Sequence, residues 1–334
     1  MSGPNGPAGR SIANAATMAV LDTNAANLRI TTYDTSGGAA AAAAHALADG
    51  NQLILGPLLG EEAQRVASEA RAAHVAVISY SNDTSVAGDD IFIMGNVPSE
   101  AIARVVREAR SQGATRFAAL IPLGVYGERA SNAMLAAVRG SGGVMVGMES
   151  YDRHGGTIAA AVRRLKAHGP CDAVLIADTG AMAAQAAAAL KTGGGLRPAT
   201  LKTGGSLLIL GTELWSGEAS VAHSPALRGA EFAALSDQRF ERFAASYRAR
   251  FGSAPYRIAT LGYDSVLLTL RIARDWGGGS SFPTTRMYDR GGFLGLDGPF
   301  RFSSKGVIER ALEVRQVRGG TVTVISPAPT RFAD

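Results

Sequence analysis

Val75-Ala76-Val77-Ile78 runs without interruption into Ser79-Tyr80-Ser81-Asn82-Asp83-Thr84-Ser85. An apolar run with no polar alternation predicts a strand buried on both faces, as in a parallel sheet. The loop that follows is dense in hydroxyl and amide groups. Just upstream the pattern repeats: Gln52-Leu53-Ile54-Leu55 leads into Gly56-Pro57-Leu58-Leu59-Gly60-Glu61-Glu62. A helix is expected over 61–73, with Ala63, Val66, Ala67 and Ala70 on one face and Glu61 and Glu62 at its positive end. Both loops then leave the carboxyl ends of neighbouring parallel strands, the edge at which open α/β sheets hold ligands. Neither loop pairs a nucleophile with a base.

Working outward, a helix is expected from Ser11, as its cap, to about Leu21. A strand is expected over Leu28–Tyr33, ending at Asp34, then a helix from the alanine tract Ala39–Ala44 to about Asp49, and a short strand at Ile91–Met94. Pro98-Ser99 opens a second series. Its strands lie near Phe117–Ile121, Val144–Met148, Ala173–Ala177 and Leu207–Leu210, with helices near 128–139, 157–168 and 181–191. This rhythm predicts α/β architecture with parallel sheets and right-handed crossovers, in two similar halves. Phe240, Phe243, Ala244, Tyr247 and Phe251 then follow the helical period up to Gly252. A long helix is expected over Ile258–Trp276, and a hairpin over Leu312–Val317 and Thr321–Ile325. Leu190-Lys191-Thr192-Gly193-Gly194 recurs as Leu201-Lys202-Thr203-Gly204-Gly205 and reads as a duplicated surface loop.

The 334 residues are 46% hydrophobic and 18% charged, enough for two cores. Net charge is +5, but basic residues such as Arg104, Arg107 and Arg110 sit on solvated helix faces with no aromatic residues between them, which argues against nucleic acid. The single Cys171 can form neither an internal disulfide nor a zinc site and reads as a small buried hydrophobe. No apolar run is long enough to span a membrane. Catalytic patterns fail one by one. Lys202-Thr203-Gly204 lacks the Ser-x-x-Lys of serine β-lactamases, and His154-Gly155-Gly156 lacks a Gly-x-Ser-x-Gly elbow. There is no Walker loop, and His45, His74, His154, His168 and His223 show no metal spacing. No enzyme activity, cofactor or metal is expected.

Ser2-Gly3-Pro4, Asp34, Gly56-Pro57, Ser79 to Thr84, Tyr126-Gly127, Phe243 to Tyr247 and the Gly295-Leu296-Asp297-Gly298-Pro299-Phe300 turn come in the order of a type I periplasmic solute-binding protein. The chain resembles the leucine/isoleucine/valine-binding kind over nearly its whole length. That resemblance implies two doubly wound lobes joined by three crossovers, near 96–99, 233–237 and 298–301, which close on a small polar, amino-acid-like ligand for an ABC-type transporter. Lobe one would be 1–98 plus 236–298, and lobe two 99–235 plus 299–334. Carried over by position, the ligand wall would be Leu58, Leu59, Gly60, Ser79, Tyr80, Ser81, Asn82 and Asp83 from lobe one, with Tyr126, Trp215 and Glu231 from lobe two. Packing and capping roles compete with each of these. Gly60 stands where the family has a carboxylate-binding serine. Asp83 aligns with a threonine-like partner, where its charge would repel a ligand carboxylate and attract an ammonium.

The family's first strand, central in lobe one, is not found ahead of Ser2; truncation or a rebuilt lobe is expected. Location is expected to be periplasmic, with a removed export segment and membrane contact only through a lipid anchor outside this chain. Ser81 to Gly88 also resembles a marker of penicillin-binding protein activators, lipoproteins of the same fold. The alternative expectation is therefore an activator of peptidoglycan synthesis acting by protein contact.

Overall fold

The computed structural model describes residues 3, 5–192, 206–277 and 280–332. The chain forms two compact units. The first is Met1–Val97, Ser236–Ala311 and Pro329–Asp334; the second is Pro98–Leu235 and Leu312–Ala328. The third change of unit thus falls at Ala311/Leu312, not over 298–301, and Pro329 returns the chain to the first unit. The cause is local, because the strand at Gly298–Phe302 is held on both sides by strands of its own unit.

The first unit begins with α1 (Gly6–Thr23), α2 (Ala39–Ala48), β1 (Leu53–Leu55), α3 (Gly60–Ala72), β2 (Ala76–Ser79) and β3 (Ile91–Ile93). The strands form a parallel sheet in the order β1-β2-β3, with Ile54 beside Val77 and Ile78 beside Phe92. Successive side chains point to opposite faces. Ile78, Tyr80, Phe92 and Met94 pack with Ile12 of α1. Val77, Ile91 and Ile93 pack with Ala43 of α2 and with Ala63, Val66 and Ala67 of α3. Helix α1 starts earlier than the sequence suggests, after Asn5 and with proline in its first turn. Ser11 is therefore inside the helix rather than capping it, and its buried Oγ accepts from the Tyr256 N–H at 3.1 Å.

The expected strand Leu28–Tyr33 does not form; the segment pairs with nothing and is half-buried to exposed. Leu28 N–H turns back to Ala25 O at 3.3 Å, the segment has no ladder partner among the described residues, and without a ladder no strand persists. β1 shows the same lack. It is the edge of its sheet and only half-buried, whereas β2 and β3 are buried throughout.

The second unit contains α4 (Pro98–Ser111), β4 (Arg116–Pro122), α5 (Val125–Gly140), β5 (Val144–Tyr151), α6 (Ile158–Ala167), β6 (Ala173–Ile176), α7 (Gly180–Lys191), β7 (Leu208–Gly211), a short α8 (Ala219–His223) and β8 (Glu231–Ala234). The chain then adds α9 (Gln238–Phe251), α10 (Ala259–Ile272) and the antiparallel strands β9 (Phe293–Gly295), β10 (Gly298–Phe302) and β11 (Ile308–Arg310) to the first unit. It adds the hairpin β12 (Glu313–Arg318) and β13 (Thr321–Ser326) to the second. The second sheet runs β13-β12-β8-β7-β6-β4-β5, parallel from β8 to β5. Helices α4 and α5 cover one face and α6 and α7 the other. Cys171 is buried in this unit, and burial pushes its thiol up to about 12, so it stays an unreactive apolar filler. The duplicated segment expected as a loop lies outside the described residues, apart from Leu190, Lys191 and Thr192.

Candidate functional site

In the second sheet β4 has β5 on one side and β6 on the other. The chain leaves β4 in one direction and returns to the opposite side of it. The carboxyl ends of β4 and β6 therefore flank a topological switch point, where α/β sheets bind ligands. The residues just past these strand ends are polar. Tyr126 follows β4, Tyr151 and Arg153 stand at the end of β5, Asp178 follows β6, and Thr212 and Glu213 follow β7.

Asp178 is the hub. Its carboxylate is fully buried and accepts from the Tyr151 hydroxyl at 2.7 Å, from Arg153 Nε at 3.0 Å and from the Thr179 N–H at 2.7 Å. Arg153 keeps 38% of its side chain exposed. It is the cation of this rim, pinned at its inner nitrogen and free to present its outer face to solvent. Beside it, Tyr126 Oη lies 3.0 Å from Thr212 Oγ1 and 3.1 Å from Glu213 Oε1. Burial, followed by the charge of Glu213, raises the Tyr126 phenol far above its usual range, so it stays a neutral donor. Burial also raises Glu213 to about 7, against the hydrogen bonds that favour its ionised form. Glu213 Oε2 is sealed from solvent and has no hydrogen-bond partner among the described residues. Glu218 closes the remaining corner, accepting from the Gly180 N–H at the start of α7 at 3.1 Å. Gly127 permits the turn after β4, because a Cβ there would meet Pro122 O at 1.7 Å.

Two expected residues of this unit do other work. Trp215 is 1% exposed, packs on Phe232, and donates its indole N–H to the Asp178 carbonyl at 2.9 Å, so it holds the hub from behind as a core residue. Glu231 is buried on the α4 side of the sheet, level with Leu210 inside the strands, and is held by Gln112 Nε2 at 2.9 Å and Gln316 Nε2 at 3.0 Å. Both of its oxygens are used there, so the structure does not bring it to the rim. Of the three residues expected from this half, only Tyr126 stands at the switch point.

In the first unit, Leu58, Leu59 and Gly60 and residues 79–83 do leave adjacent parallel strands. Their polar groups are joined in a chain. Ser79 Oγ donates to Pro57 O at 3.1 Å and accepts from the Ser81 N–H at 3.2 Å; Ser81 Oγ accepts from the Asp83 N–H at 2.9 Å. The Asp83 carboxylate accepts from the Ser85 N–H at 3.1 Å, from Ser85 Oγ at 2.7 Å and from Gln64 Nε2 at 3.2 Å. Ser79, Ser81 and Asp83 are buried, while Asn82 and Leu59 face solvent. Tyr80 turns into the core and shares a hydrogen bond of 2.8 Å with Ser265. Gly60 is explained by Asp83: a Cβ there would stand 3.2 Å from the Asp83 Cβ and 3.3 Å from Oδ2. The glycine and the aspartate go together: the Asp83 carboxylate takes the room that a side chain at 60 would need. The first N–H groups of α3, at Gly60 and Glu61, remain as donors at this rim.

Asp178, Arg153, Tyr151, Thr212 and Glu213 were not anticipated from sequence. Tyr151 is the last residue of β5 and the others sit one or two residues beyond a strand end, and that position, applied to β5, β6 and β7 as it was to β2, would have found them.

The family model described as periplasmic binding protein matches residues 1–321. Among solved structures, a Rhodospirillum rubrum protein assigned to branched-chain amino acid ABC transport superposes with a TM-score of 0.80 at 20% identity, covering 97% of each chain. Full-length LpoA from Haemophilus influenzae superposes with a TM-score of 0.72 at 16% identity, over 97% of this chain and 57% of LpoA. An uncharacterised protein of Rickettsia prowazekii is 26% identical over 165 residues, and the match spans less than half of either protein, 49% of this chain and 44% of the relative. The fold is that of the type I periplasmic binding proteins, and the chain belongs to the periplasmic binding protein family.

Proposed function

We propose that the protein is a non-catalytic periplasmic solute-binding protein serving an ABC-type transporter, and that its solute is small, polar and amino-acid-like, recognised through an ammonium group. The observation that carries this reading is Glu213 Oε2, a sealed carboxyl oxygen with no donor at the strand ends of the second unit. An unpaired buried carboxylate is costly, and a ligand cation relieves that cost with a charge-assisted hydrogen bond of about 1.5–3 kcal/mol. The rim also holds the carboxylates of Asp178 and Glu218, with the guanidinium of Arg153 on Asp178. The relative assigned to branched-chain amino acid transport points to the same ligand class.

The test is a thermal-shift panel of amino acids, amines and organic acids. A ligand at about 100 times its Kd stabilises by about 2.7 kcal/mol, a shift of several degrees. Ammonium-bearing solutes should raise Tm and simple carboxylates should not. A flat response across the panel removes this reading.

A second reading has one observation in its favour. Ser79, Ser81 and Asp83, expected at the ligand wall, are engaged in their own loop, and the chain superposes along nearly its whole length on LpoA. Under this alternative the protein is an activator that touches a penicillin-binding protein through its surface. Retention on an immobilised penicillin-binding protein, unchanged by Glu213→Gln, distinguishes it from the first.

A further inference from the structure

Arg153 stands two residues past β5, and only part of its guanidinium is used. Nε donates to both carboxylate oxygens of Asp178 at 3.0 Å. Among the described residues no hydrogen bond engages Nη1 or Nη2. The side chain is 38% exposed, so these donors meet solvent. Their position is nevertheless fixed. Asp178 is fully buried and is itself held by the Tyr151 hydroxyl and the Thr179 N–H. The turn that carries Arg153 is braced on both sides. The Asp152 N–H donates to Thr157 Oγ1 at 2.9 Å, and the Asp152 carboxylate accepts from the His154 N–H at 2.9 Å. The hydrogen bond to Asp178 raises the pKa of the guanidinium, against partial burial, and Tyr151 and Tyr126 act in the same sense. Tyr126 is also the residue whose Oη lies 3.1 Å from Glu213 Oε1. One side chain therefore adjoins both Glu213 and Arg153.

We infer that the second unit binds both charged ends of the solute, its carboxylate on the Nη1–Nη2 edge of Arg153 and its ammonium on Glu213. The inference rests on the ammonium reading above and adds the carboxylate to it. A guanidinium pinned at Nε keeps a flat edge of two parallel N–H donors, which a carboxylate fits in bidentate fashion. The first rim does not compete for that group. There the Asp83 carboxylate fills the space beside Gly60 and repels a like charge. The charges of the second rim also bound the class of solute. Asp178 already pairs with Arg153, and Glu218 and Asp152 add further negative charge. One ligand carboxylate is matched and a second is not. The occupant is therefore a monocarboxylic amino acid, neutral overall. An amine lacks the anion for Arg153, and an organic acid lacks the cation for Glu213.

The test pairs each of the standard amino acids with the amine left by removing its α-carboxylate, and measures both by calorimetry on the unaltered chain. The tightest-binding amino acid should exceed its amine by about tenfold to a hundredfold. Arg153→Met should bring that ratio to about one. Arg153→Lys keeps the charge but not the flat edge, and should restore part of the ratio. Glu213→Gln should weaken the amine as well as the amino acid. Two results overturn the proposal and leave the ammonium reading standing: a ratio near one in the unaltered chain, or the full ratio kept in Arg153→Met. The first needs no variant, so it decides even where Arg153→Met does not fold. No heat from any amino acid or amine ends the ammonium reading and this inference with it.

Discussion

The two strand-end rims carry the same kinds of side chains and use them differently. In the first unit, Ser79, Ser81 and Asp83 are linked through Pro57, Ser85 and Gln64 into a closed hydrogen-bond chain. In the second, Asp178 is equally well satisfied, yet Glu213 beside it keeps one carboxyl oxygen sealed and without a donor. Polar residues at a strand end are thus weak indicators of a ligand. What matters is whether the unit's own groups already meet their hydrogen-bonding capacity. By that criterion the first rim shapes a loop and presents backbone N–H groups, and the second leaves one carboxyl oxygen without a donor among the described residues.

The comparison is tested most severely at the hub. Asp178→Ala leaves Tyr151 and Arg153 without their acceptor and should destabilise the protein by about 3 kcal/mol, less than a fully enclosed pair because Arg153 is partly exposed. Urea denaturation measures it. A loss below about 1 kcal/mol means that the second rim is looser than its hydrogen bonds suggest. Next comes Glu213→Gln. The neutral amide cannot match a carboxylate for an ammonium, so calorimetric affinity for the solutes found in the panel should fall about tenfold to a hundredfold. Stability should hold or rise, because a buried charge is removed. Unchanged affinity would separate Glu213 from the ligand. Ser79→Ala reverses this pattern. It breaks the bond to Pro57 and leaves the Ser81 N–H without its acceptor, a cost of about 1–2 kcal/mol in stability with affinity little changed. If affinity drops instead, the first rim does more than shape its loop.

The α/β architecture was legible because most central strands carry an apolar run and several helices show their period, as in Val75 to Ile78 and the stripe Ala63, Val66, Ala67, Ala70. The segment Leu28–Tyr33 was misread for a physical reason: its propensity is that of a strand, but a strand exists only with a partner, and none adjoins it. Trp215 and Glu231 were misplaced because sequence gives the strand and not the side-chain direction. One turned behind the hub and the other toward α4. Asp178 and Arg153 escaped notice since an isolated Asp or Arg after a strand has no spacing signature; their pairing exists only across two strand ends. The tie between Gly60 and Asp83 is likewise a matter of 3.2 Å in space and of distance in sequence.

The finest test of the difference between the rims is the pH dependence of stability. Glu213 titrates near 7 in the folded protein, chiefly through burial, and near 4.3 when unfolded. Between those values the folded state holds a proton that the unfolded state has released, so stability falls as pH rises across this window and is fully present only below it. In the first unit the buried Asp264 is shifted the same way, by burial first and by the charge of Asp297 second, against the N–H of Leu296 that it accepts at 2.8 Å. Each unit therefore contributes to one downward slope. Glu213→Gln should remove on the order of 1 kcal/mol of the fall between pH 5 and 8, allowing for partial exposure, and Asp264→Asn should flatten the remainder. Only the Glu213 share should also vanish when an ammonium solute binds. The cation holds the carboxylate ionised and expels its proton, so heats of binding at pH 7 should differ between buffers of unlike ionisation enthalpy. Equal heats in both buffers, with the slope intact under saturating solute, would mean that the proton on Glu213 and the ligand do not meet.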